Sequence, residues 1–397
     1  MPERDRHAGR RPSANWTKHL TIAPQPERSP SRVLTVDFWR GLALLSIFVN
    51  HMPGNVFEHL THKNFGFSDA TEVFVLLAGV AAAFVYLPLF RRGEAVSGTF
   101  RIVQRAFQLY MAQIVLIVLC AAVIARSVAI TGDLRFYEML HLDILINDTV
   151  PGLVGLATLG LQPAYLNILP LYIVLLLGAP AAFWLLSRHG PRTLLLASAG
   201  LYVVAQLFWL NLSTFPADGW WFLNPLCWQL LFVIGILIGD AIASGRTISI
   251  TRPLRWSAAA YVAVAAVWIV SGFYPSWNPQ WLPRFIWDFD KTNLYLPRLL
   301  HVLALACVLS LLPMERWLRA SEVMKPLLIL GRHSLPVFCL GTVWAIAGQM
   351  IRTQTGGALS IDVMLVTSGI LAQIILAGVL EWHRSQRTSP AASRRSL

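Results

Sequence analysis

Arg40 and His51 are the residues whose types and spacing bear most directly on chemistry. They interrupt one apolar run, residues 34–52, that is also broken by Asp37 and Asn50. A charged side chain well inside a membrane helix costs roughly 2.5–3.5 kcal/mol on insertion scales, so it is tolerated where it faces a bundle interior or an aqueous cavity. Eleven positions of an α-helix return to within about 20° of the same azimuth and rise about 16 Å. Arg40, Leu44, Ile47 and His51 therefore form one stripe. A guanidinium fork suits a phosphate or a carboxylate. An imidazole suits general-base work near neutral pH. The pattern suggests that Arg40, with Asp37 beside it, binds a negative group entering from the cytoplasm, and that His51 serves as a general base toward the outer face. An interfacial i,i+3 ion pair between Asp37 and Arg40 explains those two without chemistry, and both readings stand open here.

A second polar cluster, Gly66-Phe67-Ser68-Asp69-Ala70-Thr71-Glu72, opens the next apolar run. Acids in a first helical turn complement the dipole and cap the helix, which accounts for Asp69. Glu72 precedes an unbroken apolar stretch and shares a face with Gly79 and Ala83, small residues that allow close helix contact. The Asp69/Glu72 pair is expected to orient His51 and stabilise its imidazolium, as in base–orienter pairs. Catalytic candidates are thus His51, Glu72 and Asp69. Gly66-x-Ser68 begins like a nucleophile elbow, but Ala70 replaces the final glycine and no strand precedes it.

Other polar intruders are less specific. Arg298 and His301 share a helix face. Gly331-Arg332-His333-Ser334 reads as an interfacial anchor more readily than as a phosphate site. Gln229 with Asn224 is expected to tie neighbouring helices together. The stretch 274–294 combines Trp277, Trp281, Phe285, Trp287 and Phe289 with Asp288 and Asp290, and Trp220-Trp221 precedes it. Aromatic faces with acids, Trp281 and Asp288 among them, suit a sugar platform; an aromatic belt at the headgroups is the default.

These residues must be positioned by membrane helices. Of 397 residues, 56% are hydrophobic and only 13% charged, against roughly 25% charged in a soluble domain. That excludes a disordered chain, a coiled coil, a disulfide scaffold and an ordinary soluble enzyme. The net charge of +12 reflects a positive-inside bias better than nucleic-acid binding. Four cysteines (Cys120, Cys227, Cys307, Cys339) lie in apolar runs without metal-ligand spacing, so no metal site is expected. No P-loop or dinucleotide glycine motif is present. An all-α polytopic membrane protein remains. Ten segments meet the length for a span: 34–52, 69–90, 107–129, 165–187, 193–211, 224–243, 256–273, 295–313, 327–350 and 363–382. Pro163 and Pro170 interrupt the boundary near 150–170, and 152–162 reads as a re-entrant or interfacial piece. The expected organisation is a disordered basic tail at 1–32, a ten-helix domain at 33–383 and a basic tail at 384–397. Most of the 32 Lys and Arg residues fall on one side when both termini are cytoplasmic.

The joined motifs resemble a known family. Asp37-x-x-Arg40-Gly41 with ten residues between Arg40 and His51 is similar to the first-helix signature of acyltransferase-3 membrane proteins. His51-x-Pro53-Gly54-Asn55 and Phe65-Gly66-Phe67-Ser68-Asp69-Ala70-x-Glu72-x-Phe74 narrow the resemblance to the OpgC family. Leu169-Pro170-Leu171-Tyr172, Asn224-Pro225-x-x-Trp228-Gln229 and Ser334-Leu335-Pro336-Val337-Phe338 extend it over about 34–382. The resemblance implies ten spans in the inner membrane and transfer of an acyl group, succinyl in the family's namesake, from cytoplasmic acyl-CoA to osmoregulated periplasmic glucans. Acyl-CoA is then a co-substrate, with no bound cofactor, and the partners are the lipid bilayer and the glucan. Asn55, His301, Arg298, Trp281 and Asp288 are candidates for acceptor binding or for supporting the catalytic residues. The sequence departs from the family at Ala78-Gly79, where Ser-Gly is expected, which puts any hydroxyl role there in doubt. Competing classes are an O-acetyltransferase of another envelope polysaccharide and a transporter or flippase without covalent chemistry.

Overall fold

The computed structural model describes residues 34–246, 249–272, 279 and 281–388. The tail expected at 1–32, Trp277, and residues 389–397 of the C-terminal tail lie outside them. Ten long helices organise the described residues: α1 Leu34–Asn50, α2 Ala70–Arg91, α3 Ala95–Thr131, α4 Ile168–His189, α5 Pro191–Leu207, α6 Pro225–Ala243, α7 Arg252–Val270, α8 Leu296–Ser310, α9 Ser334–Thr355 and α10 Leu359–Thr388. No β-strand occurs among the described residues. Each of the ten expected segments falls on one of these helices. Seven are long and apolar enough to cross a membrane, and α8 becomes an eighth if it counts as one span with the bent-off helix Met314–Ala320. The count of ten therefore exceeds what helix length and composition support. The two others, α1 and α5, have 17 residues each, slightly under the length expected of a span. The interruption near 150–170 is a short helix, Thr149–Ala157, followed by irregular chain up to α4.

Backbone-to-backbone packing explains two glycine sets. A Cβ on Gly79 would stand 2.1 Å from Phe232 O, and one on Gly235 2.2 Å from Leu76 O, so α2 and α6 touch through their main chains. Gly41 and Gly331 do the same between α1 and the short helix Lys325–Arg332, with Cβ positions 2.0 Å from Leu327 O and 1.8 Å from Asp37 O. Small residues at such crossings let van der Waals packing hold helices together where lipid offers no hydrophobic drive. The expected Gln229 tie is present: Gln229 Nε2 donates to Ser198 O at 2.8 Å, and Ser198 Oγ donates to Gln229 Oε1 at 2.6 Å.

Polar side chains collect at the two ends of the helices. At the Leu34 end, Asp240 on α6 receives Arg91 and Arg246. Glu381 on α10 receives Arg332 at 2.9 Å and His333 at 2.8 Å. At the other end, where α1 stops and α2 starts, the connections 51–69, 132–167, 208–224 and 281–295 converge. The candidate site lies there.

Candidate active site

His51 is the first residue beyond α1. Its N–H still donates to Ile47 O at 2.9 Å, so the stripe through buried Leu44 and Ile47 runs up to it. The following turn is clamped from α9 and α10. Gln349 Nε2 donates to His51 O. Arg352 Nη1 donates to Pro53 O at 2.8 Å, and Nη2 donates to Gly54 O. Arg352 Nε also donates to Asp362 Oδ1 at 2.5 Å, while Asp362 Oδ2 accepts from Val56 N at 3.0 Å. Gly54 has φ +79°, and a Cβ there would lie 3.0 Å from Arg352 Nη1, so both backbone and space call for glycine. His51 is thereby fixed through its main chain. Its ring lies 5.2 Å from the Tyr165 ring and 6.5 Å from the Phe338 ring.

Asp69 and Glu72 form a capping box on α2. Asp69 Oδ1 accepts from Thr71 N at 2.7 Å, and Glu72 Oε2 accepts from Asp69 N at 2.9 Å. Their remaining oxygens meet cations from the far side of the sequence. Arg298 Nε donates to Glu72 Oε1 at 2.7 Å, and Arg298 Nη2 lies 3.3 Å from Asp69 Oδ2. Lys291 Nζ donates to Asp69 Oδ2 at 2.6 Å and to Thr71 Oγ1 at 3.1 Å. Two acids face two bases, which lets Glu72 be fully buried.

The expected His51–Glu72 pair is not made as a direct hydrogen bond. Both Glu72 oxygens are taken by the cap and by Arg298, and His51 Nδ1 is buried without a hydrogen-bond partner among the described residues. An acid at the third helical position is within reach of the backbone N–H that starts its own helix, and Arg298 completes its pairing.

His51 and Asp69 nevertheless share one cavity of about 510 Å³. Lys291, Tyr165, Trp220 and Phe222 line it as well. Of the two aromatic stretches singled out in sequence, Trp220 reaches the cavity wall and Trp281 does not; Trp281 is 77% exposed. Asp288 is spent locally, pairing with Arg284 at 2.8 Å and accepting from Phe289 N at 2.6 Å.

Other candidates have structural employment. Asn55 is buried; its Nδ2 donates to Val49 O at 2.9 Å and Met52 O at 2.6 Å, and its Oδ1 accepts from Phe57 N at 2.9 Å. That makes it the lock of the turn after His51, a supporting role. His301 is buried, and its Nδ1 lies 2.7 Å from Ser68 Oγ. A Cβ on Gly66 would stand 2.2 Å from His301 Nε2, so the Gly66-x-Ser68 pattern serves to seat this histidine. Arg298 supports the acids from behind the cavity wall. Asp37 lies 3.5 Å from Arg332 Nε, and Arg40 Nη2 donates to Leu77 O on α2 at 3.2 Å. Among the described residues no group of three or more His, Cys, Asp or Glu is placed to hold a metal.

Sequence reasoning missed Lys291, Gln349, Arg352 and His62. Lys291 carried a signal, being one of four lysines and lying on the side poor in basic residues. His62, in the connection after α1, is shifted below its ordinary pKa by burial and lies beside the Asp69 main chain.

A family model described as OpgC protein matches residues 32–385. The chain belongs to the OpgC family. Comparison with curated proteins and with solved structures gave no match. OpgC membership points to a membrane acyltransferase connected with osmoregulated periplasmic glucans. The stretches 51–55 and 65–74, which carried the OpgC resemblance, are the ones that build the clamp and the ion-pair network.

Proposed function

We propose that this protein is an inner-membrane enzyme that transfers an acyl group, succinyl by the family's example, from cytoplasmic acyl-CoA to hydroxyls of osmoregulated periplasmic glucans. The observation that carries the proposal is the position of His51, in the wall of a cavity at the helix ends opposite Leu34, in a chain of the OpgC family.

The step balances without a further reactant. His51 takes the proton of a glucan hydroxyl as that oxygen adds to the thioester carbonyl. The C–S bond breaks, and the leaving thiolate takes the proton back from the imidazolium. The products are a glucan ester and free CoA. Asp69 and Lys291, paired with each other at the cavity wall, set the local field in which the imidazolium forms. Arg40 lies about 16 Å along the helix from His51 and is assigned to the donor's phosphates or distal carboxylate. An extended pantetheine arm is long enough to join the two depths.

Mass spectrometry of periplasmic glucans tests the function. Cells lacking the gene are expected to lose the acyl substituent, with restoration by the wild-type gene. Glucans that are identical with and without the gene would sink the proposal.

A further inference from the structure

Several independent features of the cavity wall have no part in the chemistry above. Gln162 Nε2 donates to Leu159 O at 2.9 Å, yet its Oε1 is buried without a hydrogen-bond partner among the described residues. Asn167 stands at the N-cap of α4 but makes no side-chain cap bond, and its Oδ1 is likewise buried and unpartnered. Both residues line the His51 cavity. Buried carbonyl oxygens without a donor are costly, and native proteins retain few of them. Terminal amide torsions are soft, so each carboxamide can reorient to meet a hydroxyl in the cavity, Gln162 by exchanging its bond to Leu159 O for it.

The aromatic side is also unspent. Trp220 remains 64% exposed although it lines the cavity, and Phe222 beside it is exposed. Elsewhere in the lining, the backbone is held in an uncommon state at two residues. Tyr165 and His141, both lining residues, have φ +67° and +54°. Bulky residues adopt that region where surrounding structure imposes it, and such strain gathers at ligand sites. The lining lysines are already neutralised, Lys63 by Glu58 and Lys291 by Asp69. The wall therefore offers aromatic planes and hydroxyl acceptors around compensated charge. Its volume of about 510 Å³ falls within the roughly 300–1,000 Å³ of ligand sites.

We infer that Gln162, Asn167 and Trp220 form an acceptor subsite for one uncharged sugar ring, stacked on the indole and oriented by the two carboxamides so that a hydroxyl faces His51. This inference rests on the glucan acyltransferase function proposed above and names the part of the site that selects the acceptor.

The test uses the full chain in detergent with de-acylated periplasmic glucan, measuring the glucan Kd by calorimetry and initial rates against both substrates. Gln162→Ala/Asn167→Ala and Trp220→Ala are each expected to raise the glucan Kd and the acceptor KM about tenfold, the scale of one or two lost hydrogen bonds or a stacking contact. The donor KM should stay within about twofold. Trp220→Phe, which keeps a ring, should recover most of the binding. Trp281→Ala, outside the cavity, should bind as wild type. Wild-type glucan Kd in the Gln162/Asn167 and Trp220→Ala variants overturns the subsite while leaving the acyltransferase function standing. An equal loss from Trp281→Ala also overturns it, as does a failure of Trp220→Phe to recover binding. Absence of glucan binding and acylation by the wild type removes both proposals.

Discussion

His51→Ala takes away the ring that is placed to accept the hydroxyl proton. Acylation per folded enzyme is expected to fall by about 10²–10⁴-fold, with the protein still in the membrane, since the main-chain clamp from Gln349 and Arg352 does not depend on the imidazole. Acylation near wild-type rates in that variant would remove His51 from the mechanism. Arg40→Lys probes the other end of the stripe. Lysine keeps the charge and loses the fork, so the apparent KM for acyl-CoA should rise, with a larger loss in Arg40→Ala. Donor dependence identical to wild type in both variants returns Arg40 to a packing role. At this scale the residue types were legible before their partners were. An Arg and a His on one apolar stripe could be read from spacing alone. The partner of Glu72 could not, because Arg298 lies over two hundred residues away and nothing local points to it. Local chemistry did favour the competing outcome, in which an acid in the first helical turn caps its own helix.

Between elements, the ion pairs that join α2 to α8 are the feature most exposed to substitution. Glu72 is fully buried with Arg298 as its cation, whereas Asp69 retains Lys291 if Arg298 is removed. Arg298→Met should therefore destabilise the fold by about 3–5 kcal/mol, the usual cost of leaving one buried charge uncompensated. Adding Glu72→Gln to Arg298→Met should return part of that loss, seen as a higher melting temperature in detergent for the double variant than for Arg298→Met. A double variant that melts lower than Arg298→Met would show that Glu72 is held by something other than Arg298. The glycine contacts tell how far element packing could be foreseen. Gly79 with Ala83 marked a close-contact face on α2 in the sequence. That α6 is the partner, through Gly235 and Phe232 O, needed three dimensions, since many apolar helices offered equivalent surfaces.

For the molecule as a whole, the two helix ends are chemically distinct and sidedness is the consequence to test. Residue 95 starts α3 at the Leu34 end. Residue 320 closes the short helix whose Met314 and Leu318 pack with Phe38 of α1. Residue 145 follows His141, a lining residue of the His51 cavity, and residue 285 precedes Lys291, another. Helix class and the placement of the ten long helices were readable because apolar runs of sufficient length have few other fates. The count was not, since α1 and α5, at 17 residues each, reach only about 25 Å. If all ten helices cross, an even number of passes puts both termini on the Leu34 side, where most basic residues of the connections also lie, and that side is cytoplasmic by the positive-inside rule. Alkaline-phosphatase fusions after residues 145 and 285 should then be active, and fusions after 95 and 320 inactive. The reverse pattern would put His51 on the cytoplasmic side and leave a periplasmic glucan without a base. Activity after both 95 and 285 would mean that one of the helices between them does not cross, and α5 is the first to examine.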